Sequence, residues 1–339
     1  MRQRRRAERG HFSAPKDRVQ GGLTRRDLEG RLSRLLLIGL GLVVILVVGL
    51  LGYAWFSSSY QPPRKLVAEI GGEEVKLRDV IPYTLLNGTI SGFLRPEEAL
   101  NSIRRDLMLE QRSGSLGVAL AEADIERAFA SQFEPLNDGS ETPDRLSDIG
   151  QANLDGFLDA LDVDDEDYRD WVSGNLLVAA IQNHFVSIQP EADEQVFIEW
   201  FVTVSSVEAL AAMDRIEAGE TFAEVAQDVT IETSSSDENG VVGWVPRGAF
   251  SEIDFVIYDE ETPLNVPIGP LVTSFGSMVL RVTDGPSEQP VNPILAVRVA
   301  GTNFQDWVND QTVEMEDAGL LRAIGLDPED IAWVLDQLV

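Results

Sequence analysis

The chain has 339 residues, 44% of them hydrophobic and 25% charged, enough to bury more than one core and too apolar for wholesale disorder. Twenty-seven Lys and Arg against 57 Asp and Glu give a net charge of −30, which repels phosphate backbones and argues against nucleic acid as a partner. No cysteine and two histidines, His11 and His184, exclude disulfides, thiolate nucleophiles, Cys-ligated metals and multi-His centres, so neither metal nor cofactor is expected.

Residues 1–34 form a basic tail with eleven Lys or Arg against four acids, net +7, which leaves −37 for the rest. The run 35–56, LLLIGLGLVVILVVGLLGYAWF, holds no charge over 22 residues, long enough to cross a hydrocarbon core of about 30 Å as one helix. Tyr53, Trp55, Phe56 and Tyr60 suit an interfacial aromatic belt, and the arginines on the other side place the N-terminus in the cytoplasm. The expectation is a single-pass protein of the cell membrane with its acidic bulk extracytoplasmic. A signal peptide is the rival reading, but its apolar region usually spans about 7–15 residues before a small-x-small site. Here the run is longer and Ala54-Trp55-Phe56-Ser57 is a poor cleavage site, so an uncleaved anchor fits better.

A polar stalk, 57–65, leads to a strand at 66–70, a Gly71-Gly72 turn and a strand at 74–77. Helices are predicted from Arg78, from Pro96 to about 116, and over 121–133. Apolar residues at Leu100, Ile103, Leu107 and Met108 supply the helical spacing. The Asn-, Asp- and Gly-rich stretch 134–150 reads as loop, with helix returning near Leu154. The acids at 162–167 then open a helix that presents Tyr168, Trp171, Val172, Leu176 and Leu177 and ends near Val186. That acidic run lacks the Gly and the closing Glu of a calcium loop. His184 has no local partner pattern and reads as a packed or surface histidine, and Asn87-Gly88-Thr89 is a weak glycosylation triplet.

Beyond Pro190 the pattern changes. Strand 196–204, helix 207–218 closed by Gly219, helix 222–229, strand 240–245 and a hairpin of 271–273 with 277–282 describe a small α+β domain. Residues 284–293, DGPSEQPVNP, read as a linker. Phe304, Trp307 and Val308, and then Asp327-Pro328-Glu329, mark C-terminal helices.

The ordered elements Ile216-Glu-Ala-Gly-Glu-Thr-Phe-Ala-Glu-Val-Ala226, Gly243-Trp244, Arg247-Gly248 and Leu271-Val-Thr-Ser-Phe-Gly276 resemble the parvulin family of peptidyl-prolyl cis-trans isomerases. Val67-Ala-Glu-Ile-Gly-Gly-Glu-Glu-Val75, Leu116-Gly-Val118 and Tyr168-Arg169 are similar to the chaperone region of SurA- and PrsA-type folding factors, in which helical segments flank a parvulin insert. The fold class this implies is α+β. It comprises a transmembrane helix (35–56), a mainly helical chaperone-like region (66–190), a parvulin-like domain (193–283) with a small, mostly antiparallel sheet, and a C-terminal helical segment (294–339) that places Phe304 and Trp307 beside the N-terminal helices.

The resemblance also names a site. Active relatives carry a His on the first and last strands, where this chain aligns Trp200 and Met278. The family's Cys or Asp falls near Glu232. Phe250 and Phe255, with Trp244, match the proline pocket. Rotation about an X-Pro bond has a barrier of roughly 20 kcal/mol and breaks no covalent bond, so it needs an apolar pocket and a donor near the twisted amide rather than a nucleophile. The expected partners are unfolded, newly exported polypeptides and their proline-containing segments. With both histidines replaced, two readings stay open: a folding factor that keeps isomerase activity, and a non-enzymatic scaffold that uses a degenerate parvulin domain for one partner. Recognition of phosphorylated segments is not expected, since Arg247 is the sole base between Glu217 and Glu261. A hydrolase is not expected, since outside the tail His184 is the only imidazole and no G-x-S-x-G elbow is present.

Overall fold

The computed structural model describes the backbone of residues 25–56, 60–135, 143–232 and 239–338, with side chains from Leu40 onward. Residues 1–24 with His11, the start of the stalk (57–59), part of the predicted loop (136–142) and the serine-rich segment after Glu232 (233–238) lie outside the described residues. Two compact units result, Met1–Gln61 and Pro62–Val339.

In the first unit, helix α1 (Arg25–Trp55) carries the uncharged run. Its side chains from Leu40 to Phe56 are exposed on all faces, and Tyr60 stacks on Phe56 at 5.4 Å. Among the described residues no helix is long and apolar enough to cross a membrane; the side chains of 35–39, the first five residues of the predicted span, lie outside them.

The second unit is α+β, built on two small antiparallel sheets. The first has the order β2-β1-β7, from β1 (Leu66–Ile70), β2 (Glu73–Lys76) and β7 (Leu321–Ala323). It packs with α2 (Val80–Ser91), α3 (Pro96–Arg112), α6 (Asp165–Ser187), α10 (Pro293–Asp317) and α11 (Pro328–Asp336). Pro96 at the first helical position and Glu97 and Glu98 in the first turn start α3, and Ala99, Leu100, Ile103, Met108 and Leu109 form its buried stripe. Asp106 sits in that stripe, three positions on from Ile103. Phe304 and Trp307 of α10 pack against Phe185 of α6, so the C-terminal segment lies beside the N-terminal helices as expected. Lys65 closes the arrangement, its Nζ donating to Asp327 and Asp330 at 2.7 Å.

A satellite core joins α4 (Glu122–Phe133) and α5 (Asp148–Leu161) to α6 through Phe129, Phe133, Phe157 and Tyr168. Helix α5 starts earlier than predicted because Ser147 caps it, its Oγ accepting from the Gly150 amide. Asn87 lies within α2, its side chain donating to Ser102 and accepting from Trp171 Nε1, so the glycosylation triplet is spent on helix packing. The acids before α6 likewise serve a cap: Asp164 Oδ1 accepts from the Asp167 amide. His184 is half-buried against Phe185.

The second sheet has the order β4-β3-β6-β5, from β3 (Ala192–Thr203), β4 (Val241–Pro246), β5 (Ile268–Thr273) and β6 (Gly276–Pro290). Alternation sorts its residues. Val196, Ile198, Trp200 and Val202 enter one core with Met278 and Leu280, under α9 (Ser251–Ile257). Phe201 and Val279 enter the other with α7 (Ser206–Glu217) and α8 (Phe222–Val229).

The predicted linker 284–293 is mostly strand. Residues to Pro290 continue β6 and pair with the start of β3, Asp193 opposite Gln289. The β5 pairing reaches only Leu280, so beyond it β6 is an edge strand, where prolines are tolerated. The sheet domain therefore runs past 283. Strand β7 and helix α9 were also not expected. Helix α10 contributes Leu295 and Val299 to the core under β3, and Ala300 and Phe304 to the core of the first sheet, so one helix ties the two modules together.

Candidate functional site

Where the parvulin-like pattern puts its site, the structure has a cavity of about 160 Å3, close to the size of apolar cavities of about 150 Å3 that accept a single ring. Trp200 of β3 and Met278 of β6 form its floor, both essentially buried at 0% and 1% exposure. They come together because β3 and β6 pair antiparallel with Val202 opposite Met278 and Trp200 opposite Leu280. Phe250, at the N-cap of α9, and Phe275, in the β5–β6 turn, supply the walls. The Trp200 and Phe250 rings meet edge to face at 4.7 Å, and Phe275 lies 6.2 Å from Trp200 and 6.4 Å from Phe250. Hydrogen bonding holds the turn in place: Glu252 Oε2 accepts from the Ser274 amide at 2.8 Å.

The rim is charged. Arg298 of α10 lays its guanidinium 4.9 Å from the centre of the Phe250 ring, while Glu252 stands on the α9 side. One polar group is unspent at the floor, since the Trp200 indole N–H is buried without a hydrogen-bond partner among the described residues, a state that ordinarily costs about 1–3 kcal/mol. Neighbouring elements are braced separately. Tyr258 donates to the Val245 carbonyl at 2.7 Å beneath the Arg247 guanidinium, and burial pushes its phenol pKa up. Asp254 Oδ2 accepts from the Gly248 amide, and burial raises that carboxyl above its ordinary value.

Of the six residues expected here, Trp200, Met278 and Phe250 meet in the cavity. Phe255 does not: it is 70% exposed, because five helical positions from Phe250 turn it roughly 140° away. Trp244 is opposite Phe197 in the β3–β4 register and packs on it edge to face at 5.5 Å. That pair projects from the sheet face away from Trp200. Glu232 follows α8 and is not among the cavity residues. Its main-chain carbonyl accepts from Thr230 Oγ1 at 3.1 Å. Sequence reasoning missed Phe275, although it lies inside the segment that carries the resemblance, and Arg298, for which only the docking of α10 gives a signal.

No family model matches the chain. It is similar to the foldase protein PrsA of Halalkalibacterium halodurans, at 26% identity over 204 residues, covering 56% of this chain and 57% of that protein; the chain thus spans little more than half the length of this curated relative. Among solved structures it is similar to the PrsA peptidylprolyl isomerase of Bacillus anthracis, at 14% identity over 70% of this chain and 94% of that one with a TM-score of 0.36. The parvulin of Nitrosopumilus maritimus, at 21% identity, covers 28% of this chain and all of its own with a TM-score of 0.24. A SurA-like chaperone of Campylobacter jejuni matches at 12% identity over 75% of this chain and 98% of its own, also with a TM-score of 0.24.

Chemically, the cavity can take an apolar ring against three aromatic faces, strip water from the amide that follows it, and offer a guanidinium at the rim. No imidazole lines it to activate the hydroxyls of Ser251, Thr273 or Ser274.

Proposed function

We propose that the chain is a membrane-tethered extracytoplasmic folding factor of parvulin type, which holds proline-containing segments of unfolded, exported polypeptides in the aromatic cavity while the flanking helical module supports the bound chain. The observation that carries this reading is the convergence of Trp200, Phe250, Phe275 and Met278 around a ring-sized cavity, at the place the parvulin-like motifs assign to the prolyl ring. Desolvating the amide in such a pocket favours the twisted state, in which resonance is lost. The similarity to a foldase over 204 residues supports the same reading.

Tethering is supported by the uncharged run of 22 residues, its helix α1 and the basic tail before it. Together they favour a single span with the N-terminus inside.

A second reading keeps the fold and drops the chemistry. The Trp200 and Met278 floor cannot form an imidazole hydrogen-bond pair, which favours a pure binding module that recognises a folded partner. Exchange NMR on an Ala-Pro peptide separates the two, using the full chain in lipid nanodiscs with Phe250→Ala as control. Faster cis/trans exchange, lost in the variant, establishes the isomerase. A folded protein without acceleration leaves the binding module. Suppression of aggregation of several unrelated clients then distinguishes a folding factor from a scaffold.

A further inference from the structure

One charge at the aromatic cavity comes from outside the sheet domain. Arg298 belongs to α10, beyond the end of β6 at Pro290, and three anchors set its place. Leu295, one turn before it, and Val299, next to it, enter the core under β3. Thr302, one turn after it, donates its hydroxyl to the Gly248 carbonyl at 2.8 Å. Residues at these spacings share one flank of a helix, so packing delivers the guanidinium to the face of Phe250, 4.9 Å from the ring centre.

Among the described residues that line the cavity, Arg298 is the one base and Glu252 the one acid. Glu252 is partly engaged, its Oε2 accepting from the Ser274 amide at 2.8 Å. Ser251 and Ser274, both exposed, bring hydroxyl donors to the same lining. A guanidinium on an aromatic face is by itself an ordinary brace. This one is half-buried and covers the wall of a ring-sized cavity. Its five N–H donors point outward in the plane of the group, so stacking on Phe250 leaves its edge able to serve more than one acceptor.

We propose that Arg298 makes the cavity selective for a proline that has Asp or Glu next to it in the chain, an inference that rests on the reading of the cavity as a prolyl pocket. Neighbouring Cα atoms are about 3.8 Å apart, or about 2.9 Å across a cis bond. With the prolyl ring against Phe250, the adjoining side chain therefore emerges at the rim where the guanidinium lies. A carboxylate there gains a charge-assisted pair of hydrogen bonds, whereas a Lys meets a like charge. The chemistry is that of a single carboxylate, since phosphate recognition ordinarily uses a cluster of bases and this lining holds one. Because the charge enters on α10, the helical module sets the preference of a pocket that the sheet domain builds.

The test is fluorescence anisotropy with the full chain in phosphatidylcholine nanodiscs at low salt. The labelled peptides have blocked ends and differ only around a central proline: Ala on both sides, Glu before it, Glu after it, Lys before it, Lys after it, and a proline-free control. One of the Glu peptides is expected to bind about fivefold tighter than the Ala peptide, and its Lys counterpart more weakly than either. Arg298→Lys should keep that order and Arg298→Glu should reverse it, with circular dichroism unchanged; loss of a mere brace would weaken all the proline peptides alike. An order that survives Arg298→Glu overturns the proposal. So does equal affinity for the five proline peptides, which leaves the prolyl pocket standing if the control binds more weakly. No binding, or a control that binds as well as the rest, overturns both readings.

Discussion

Asp106→Asn should make the protein more stable at neutral pH, and the gain should vanish on mild acidification. Asp106 lies on the buried stripe of α3, and desolvation raises its pKa from an ordinary 3.8 to about 6, although the charge and hydrogen bonds of Arg105 pull the other way. The native pKa lies above the unfolded one, so between about pH 4 and 6 the native state binds more protons, and stability falls as pH rises through that window. By pH 7 the ionised carboxylate costs about 3 kcal/mol relative to a neutral group, and at pH 4.5 about 1 kcal/mol. Asparagine removes that penalty but puts a buried amide donor at the place of Oδ2, for about 1 kcal/mol. The net expectation is a gain of about 2 kcal/mol at pH 7 and about none at pH 4.5. Urea unfolding of the two proteins at both pH values measures it. A variant less stable than the parent at pH 7, or a difference that does not change with pH, would refute the account and show that Arg105 satisfies the carboxylate.

Two further outcomes are expected. Gly174→Ala should destabilise the protein by about 1–3 kcal/mol through overpacking, opposite in sign to the gain of about 1 kcal/mol that helix propensity alone gives, because its Cβ would stand 2.3 Å from Asp106 Oδ2 and 2.9 Å from Asp106 Cβ; equal or higher stability in urea would show that Asp106 swings aside. Any acceleration of prolyl exchange should be flat from about pH 5.5 to 8.5, since Trp200 and Met278 do not titrate and no histidine lines the cavity; a rate that changes severalfold across that range would refute the assignment.

Most of the candidate site was legible only through a resemblance. Trp200 and Met278 are unremarkable in pattern terms, one apolar residue on each of two strands, and their meeting depends on the β3–β6 register. Phe255 had the right chemistry and the wrong face, because α9 was not read as a helix and helical spacing separates it from Phe250. Trp244 failed for the corresponding reason in a strand, where one step in parity moves a side chain to the opposite side of the sheet. Glu232 was inferred from loop position alone, and no periodicity constrains a loop.

What the sequence settled by itself were the local matters: the helices with acids or proline in the first turn, the β1–β2 hairpin around Gly71-Gly72, the uncharged run in α1, and the absence of thiol and multi-imidazole chemistry. These depend on neighbours within a turn or two of the chain, where capping, spacing and composition act directly. Composition misled where a distant partner decides the structure. DGPSEQPVNP reads as linker, yet most of it is strand because β3 supplies the missing hydrogen bonds along an edge that tolerates proline. The same dependence placed Arg298 over Phe250, joined both cores through α10 and buried Asp106 among other acids. Contacts of that kind link residues tens to hundreds of positions apart, and only the folded chain brings them within reach.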